Sequence, residues 1–413
     1  MFLHKAALLT LLFATPYIYT RAEENDDEDD HYIPDANSNY LIVKVNHDIS
    51  PVIGASPHKL FHDWARDHGK TYHSESEKTQ RMNNWMATDK KIKDHNKKHS
   101  KRESTYFMRH NEFSDMTPEE FAAHMNLFSY VNDPLEELKN FMPLTEDGDA
   151  YTIVGQIRGK KGRGLRQLQD SVDWVSEGVV TEVKNQQSCG SCWAFAATGG
   201  MEAVRAKYIK DNGITDSEML VDLSEQELID CATSDTGNYG CAGGWPKNAV
   251  TKYVKAKGGI CSEADYPYEN TDVNGCRVDS MCASGIVPYT AFTGCKYVYS
   301  CNKNIRDAEL LEAASAESPL ILAVIAEPYS NWMSYGGGIF DDTGCGEPSD
   351  TAVNHAMLLT GYGDSEDGMF YNLKNSWGAG WGEGGYIKFP RDPTLKDHDG
   401  PCGMLRYVMQ PLL

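Results

Sequence analysis

Apolar residues recur along this chain with two different periods, and the change of period divides it. In HKLFHDWARDHGKTY, Phe61 and Trp64 stand three apart; in SEKTQRMNNWMATDKKIKDHNKKH the apolar positions are Met82, Trp85 and Met86, then Ile92. That spacing predicts helices, the second long, mostly polar, and carrying one narrow apolar stripe that must dock on something. Residues 126–167 lose the pattern and end in RGKKGRGLRQ, a Gly-rich basic stretch that reads as an exposed, cleavable linker. From about Leu168 helices return: the run CWAFAATGGMEAVRAKYIK, then LSEQELIDC with Ser224 and Glu227 placed as a capping box, then WPKNAVTKYVKAKGG ending at a Gly pair. Thereafter the chain turns to strands: LILAVIA, HAMLLTGYG, MFYNLKNSW and GYIKFP. Helices first and strands later predict an α+β body of two packed halves.

Composition narrows the setting. A chain of 413 residues with 40% hydrophobic content can bury more than one core, and a formal net charge of −21 argues against nucleic acid as a partner. Lys5 followed by AALLTLLFA reads as a cleaved signal peptide over residues 1–22, and no later stretch is long enough for a membrane span. The eleven cysteines fit a soluble protein of a disulfide-permissive compartment, and their odd number leaves one sulfur over. No Asn-x-Ser/Thr acceptor occurs, so no N-linked glycan is expected. The like-charged block Glu23–Asp30 marks residues 23–56 as an acidic, flexible segment.

The stretch NQQSCGSCWAF, residues 185–195, holds Cys189 and Cys192 three positions apart. A redox pair of this spacing belongs in a βαβ setting that the flanking sequence lacks, and a zinc site needs a second pair or paired histidines. The remaining reading is one structural and one nucleophilic sulfur. Cys192 opens a predicted helix, where free backbone N–H groups and the helix dipole favour a thiolate. Gln186, six residues earlier, can offer its amide to an oxyanion. Only His355 and His398, of 13 histidines, lie beyond residue 167; His398 sits in a charged turn, whereas His355 opens an apolar strand.

CGSCW resembles the signature around the nucleophile of papain-like cysteine peptidases, NHAMLLTGYG their histidine strand, LKNSWGAGWGEGGYIK their asparagine segment, and YGCAGGWP the turn lining their substrate cleft. The likeness covers about 168–413 and implies a two-lobed papain-like fold, a helical lobe beside a β-barrel-like one. It implies that Cys192 attacks the scissile carbonyl, His355 serves as its acid–base partner, Asn375 orients the imidazole under cover of Trp377, and Gln186 donates to the oxyanion. Gly243 and Gly244 would present bare backbone to the substrate, and Trp245, Pro246, Ala323, Ala356 and Tyr407 would line a pocket for an apolar side chain two residues before the cut. The resemblance also implies disulfides Cys189–Cys241, Cys231–Cys276 and Cys345–Cys402, with Cys192 free. For the four additional cysteines, Cys261–Cys282 and Cys295–Cys301 are the pairings we expect among three connectivities. The sequence departs from the family at Gln187, where Gly is usual, and at Asn354, where Asp is frequent.

Residues 57–125 resemble the propeptide of cathepsin L-like members of the family. Glu77, Arg81, Ile92 and Asn96 match its helix motif, with Trp85 for Phe and Thr88 for Asn, and RHNEFSDM follows with Arg109 where Gly is usual. Glu77 and Arg81 stand at i,i+4 and can pair. The organisation expected is therefore a signal peptide (1–22), an acidic segment (23–56), a helical inhibitory prodomain (57–125), a linker with the activation site (126–167) and a peptidase domain (168–413). We expect a secreted or lysosomal/vacuolar zymogen of a cysteine endopeptidase, monomeric, without cofactor or metal, acting on protein and peptide substrates and inhibited by its own propeptide. The alternative is a non-catalytic papain-like binding or storage protein, which predicts loss of one of Gln186, Cys192, His355 or Asn375; all four are present. Ten histidines between His31 and His124 suggest an acid trigger for prodomain release, with His58, His62, His95, His99 and His110 as the groups to test.

Overall fold

The computed structural model describes residues 56–127, 170–214, 219–282, 308–341, 345, 353–395 and 399–412, with the backbone of a few short strands outside them. The signal peptide, most of the linker, the Cys295–Cys301 pairing and His398 lie outside the described residues. Within the segment expected to be flexible, His31–Pro34, Leu41–Val45 and Asp48–Pro51 form an antiparallel meander.

Two prodomain helices, Pro57–Asp67 and Glu75–Ser100, start where the chain supplies caps. Ser56 and Ser74 accept from the backbone N–H groups of Lys59 and Glu77. They cross over an aromatic core of Phe61, Trp64 and Trp85. Glu77 and Arg81 do not pair. The Glu77 carboxylate accepts from the His73 backbone, while Arg81 reaches Glu120 at 2.8 Å and the Asp115 carbonyl at 3.2 Å. That bond ties the long helix to a third one, Pro118–Met125, which begins with a full capping box of Thr117 and Glu120. Asn96 pairs in both directions with Met108, at 2.8 Å each way, and so holds the strand Tyr106–Met108 against the helix. This strand in turn pairs antiparallel with Tyr335–Gly338, which belongs to the remainder of the chain.

The body that follows is built on the helix Cys192–Asp211. Nearly every residue of its first three turns is buried, because it is packed on both sides. One side meets Leu223, Leu228, Val250 and Ile260 of a helical lobe; the other meets Ile321, Leu358 and Met409 of a sheet lobe. Gly200 makes the second contact possible, since a Cβ there would stand 2.7 Å from Ile321.

Ser224 caps Glu225–Cys231 through the Glu227 N–H, but Glu227 does not return the bond. Its carboxylate is taken by Tyr253, Lys257 and the Cys261 N–H, and the Ser224 N–H goes to the Cys261 carbonyl, so tertiary partners displace half of the expected box. The predicted helix after Trp245 forms as Pro246–Asn248, a π-helical stretch Ala249–Val254 and Lys255–Lys257, ending at left-handed Gly258.

In the sheet lobe the strand order is Tyr386–Pro390, Gly368–Lys374, His355–Ser365, Leu320–Val324, Val408–Leu412 and Gly294–Tyr297, with Val172–Asp173 added beside the far end of His355–Ser365. The pairing sets His355 opposite Val324 and Ala356 opposite Ala323. It thereby carries the first residue of the central strand to the end of the sheet that faces the helical lobe. Sulfurs are joined in the pairs Cys189–Cys241, Cys231–Cys276, Cys261–Cys282 and Cys345–Cys402, and Cys192 is in no disulfide. Among the described residues no helix is long and apolar enough to cross a membrane.

Candidate active site

Cys192 is the first residue of the central helix, and it is buried. The preceding Ser191 makes no capping bond; its hydroxyl is engaged by the Cys189 carbonyl and Tyr268. The first N–H groups of the helix are thus left to a negative charge at this end. Cys189, bonded to Cys241, anchors the turn before it. Cys192 shares a buried cluster with Ala356, the residue after His355.

His355 is buried, and its Nε2 lies 2.7 Å from Asn375 Oδ1. That oxygen is acceptor only, so Nε2 carries the proton and Nδ1 keeps its lone pair. Nδ1 is buried with no hydrogen-bond partner. Trp377 lies 4.8 Å from the imidazole, centroid to centroid, and is itself fully buried, so the His355–Asn375 bond sits in a dry environment. Burial pushes the imidazole down to about 4, against the opposing bond to Asn375, and the ring is held neutral.

Gln186 is buried with its side chain fixed at both ends: Nε2 donates to the Cys189 carbonyl at 3.0 Å and Oε1 accepts from Ser376 at 2.7 Å. Its backbone N–H reaches the Ser376 carbonyl, so the Gln186 turn and the Asn375 segment, from opposite lobes, are stitched together. Tyr268, which sequence reasoning missed, donates to the Gln186 carbonyl at 2.6 Å. Gln187 occupies the left-handed region at φ 53°, which explains why glycine is at home in this position.

Behind these residues lies a buried charge cluster that the sequence did not reveal. Lys184 pairs with Asp222 at 2.6 Å and Glu225 at 2.8 Å, and stands 3.5 Å from Glu202; Lys374 donates to Thr181, itself bound to Glu202. Burial pushes Glu225 up to about 7 in spite of Lys184. For Glu202 the same burial is outweighed by Lys184 and Lys374, and it lies below the usual carboxylate range. Lys184 and Lys374 are two residues before Gln186 and one before Asn375, so the cluster backs both.

Trp245, Pro246, Ala323 and Ala356 line one small cavity together with Gly244, His355 and Val353, and Tyr407 stands 5.6 Å from the Trp245 ring. Val353 is a lining residue that the sequence reading left out. Gly243 has φ +114°, and a Cβ on Gly244 would press on Trp193 at 2.7 Å and on Asn238 at 2.6 Å. Gly243 is therefore called for by its own backbone conformation and Gly244 by the protein's own packing, whatever peptide approaches them.

The prodomain lies over this region. Phe121 meets Trp377 edge-to-face at 5.3 Å, and Asn126 donates to the Cys241 carbonyl at 2.9 Å. Asn111 donates to the Met333 carbonyl at 2.7 Å, and Arg109 to the Gly382 carbonyl. Of the histidines proposed as triggers, His110 is stacked on Trp85 at 4.4 Å and bonded to Asp89. Burial holds it below its ordinary value despite Asp89, as it does His68 beside Trp64 and His124 beside Phe113. These rings pack against prodomain aromatics, so charging them acts first on the prodomain's own fold.

Residues 168–412 match the papain family cysteine protease domain, and residues 61–121 match the cathepsin propeptide inhibitor domain. The chain is 34% identical over 373 residues to a cathepsin L-like proteinase of Phaedon cochleariae, covering 90% of this chain and 97% of that protein. It is 34% identical over 337 residues to digestive cysteine proteinase 3 of Homarus americanus, covering 82% and 89%. Among solved structures, digestive procathepsin L 3 of Tenebrio molitor larval midgut superposes with a TM-score of 0.66 at 32% identity, covering 87% of this chain and all of that one. A recombinant stem bromelain precursor does so with 0.64 at 30%, covering 87% and 99%.

Proposed function

The chain belongs to the papain family of cysteine proteases, in its cathepsin L-like zymogen branch, and from that premise we propose that it is an endopeptidase zymogen whose prodomain occupies and masks the site just described. Cys192 is the nucleophile. Its thiolate adds to the scissile carbonyl, forming a C–S bond; the oxyanion is met by the Cys192 N–H and the Gln186 amide. His355 Nδ1, which takes the thiol proton of Cys192 as the thiolate forms, gives that proton to the departing amine as the C–N bond breaks. Water, deprotonated by the same nitrogen, then cleaves the thioester.

Asn375 holds the ring in the orientation this requires, and Trp377 keeps the holding bond from water. The observation that carries this reading is the 2.7 Å bond from His355 Nε2 to Asn375 Oδ1, which leaves Nδ1 without a hydrogen-bond partner, while Cys192, outside every disulfide, packs with Ala356, the next residue along the strand. The cavity of Trp245, Pro246, Val353, Ala323 and Ala356, faced by Tyr407, supports an apolar preference two residues before the cut. The disulfides and the signal-like start support a secretory route, to a lysosome or vacuole or to the exterior.

The test is to acidify the purified zymogen, label it with an epoxide that alkylates thiolates, and sequence both the labelled peptide and the new N-terminus. Label on Cys192, and loss of peptide hydrolysis in Cys192→Ser, is the expected result. Label elsewhere, or Cys192 found bonded to Cys189, overturns the reading.

A further inference from the structure

Asn354 precedes the candidate catalytic histidine, at the position where the papain-like resemblance leads one to expect Asp. All three of its side-chain bonds run to backbone. Oδ1 accepts from the Ala326 N–H at 2.8 Å; Nδ2 donates to the Ala326 carbonyl at 3.2 Å and to the Leu127 carbonyl at 2.9 Å. The Ala326 N–H fixes which end of the amide is oxygen, so the end facing Leu127 must be the donor.

Leu127 is buried, in the same cluster as Ala323, Val353 and Tyr407. The residue before it, Asn126, is in the left-handed conformation and bonds the Cys241 carbonyl on the helical lobe. The prodomain chain is therefore held by one hydrogen bond to each lobe at consecutive residues, where it straddles the cleft.

We propose that the Asn354 carboxamide is the sheet lobe's grip on the inhibitory segment, and that the amide is what makes the grip possible. An ionised carboxylate could keep the Ala326 N–H but would set negative oxygen against two carbonyl oxygens, one of them the prodomain's. Asn354 is thus a positioning residue for self-inhibition, acting on a backbone carbonyl and indifferent to the side chain at 127. The inference rests on the peptidase reading for its meaning, but its readout needs no hydrolysis.

The experiment is amide hydrogen exchange on the full-length zymogen carrying Cys192→Ala, at pH 6.5, with Asn354, Asn354→Asp and Asn354→Ala compared. In Asn354→Asp, exchange across residues 118–127 should quicken roughly tenfold, while the Ala326 amide, still bonded, stays protected. The aspartate should loosen the prodomain at least as much as the alanine does, although alanine removes more bonds. Unchanged exchange at 118–127, or alanine loosening it more than aspartate, overturns the proposal. Should Cys192 fail to label in the wild-type chain, the peptidase reading falls and this measurement still decides the grip.

Discussion

Truncating Phe121 to alanine should release the prodomain without touching the enzyme it covers. Phe121 is fully buried, edge-to-face with Phe113 on the prodomain side and with Trp377 on the other, each at 5.3 Å. Removing a buried phenylalanine costs about 3–5 kcal/mol in all. Roughly half of that contact is internal to the prodomain and survives undocking, so about 2 kcal/mol falls on docking. That corresponds to an undocked population raised about 30-fold. The assay follows processing of the full-length zymogen across pH. At any one pH the Phe121→Ala chain should process about 30-fold faster, and the onset of processing should move to higher pH. The processed enzyme should have wild-type kcat and KM, because residue 121 has left with the prodomain. Phe121→Leu, which keeps most of the apolar area, should fall between. Processing at the wild-type rate at every pH would refute the argument that the Phe121–Trp377 contact holds the cover in place.

Acid should act in opposite senses on the two parts. Burial raises Glu225 and Glu263 to about 7 from 4.5, so the stability they contribute is full below about 4.5 and is lost as pH rises through 7. His68, His110 and His124 are lowered by burial from 6.5, so theirs is full above 6.5 and is lost as pH falls through their depressed values. Exchange measured at pH 7.5 and 5 on the Cys192→Ala zymogen should show the prodomain loosening on acidification and the peptidase body tightening around Glu225 and Glu263 but not around His355, which burial lowers to about 4 and which acts in the histidines' sense; loosening around Glu225 and Glu263 would contradict the assignment. Replacing Gln187 by glycine should relieve its φ of 53° and stabilise the processed enzyme by about 0.5–1 kcal/mol, read from thermal melts. Gln187→Val should destabilise it, since a β-branched residue tolerates that conformation least.

The candidate site residues Cys192, His355, Asn375 and Gln186 could be picked out in the sequence because each belongs to a contiguous run whose residue types are tied to backbone positions: the start of a helix, the head of a strand, the turn after a strand. Local chemistry determined these, as it did the Ser56, Ser74 and Ser224 caps and the period of the strands. What the tertiary structure decided was which partner each polar group took when several lay within reach. Arg81 stands one turn from Glu77 yet bonds Glu120, because docking the third helix brings a second carboxylate to a half-buried guanidinium. Glu227, one turn into its helix, serves Lys257, Tyr253 and Cys261 and leaves its capping bond unmade. The Lys184–Glu202–Glu225 cluster and the grip of Asn354 on Leu127 join residues from 18 to 227 positions apart in the chain, as the distance from Lys184 to Glu202 and from Leu127 to Asn354 shows. Periodicity and short motifs report on neighbours along the chain. A buried charge or amide instead takes whichever partner the packed elements bring within about 3 Å, since leaving it unpaired costs more than any local preference supplies.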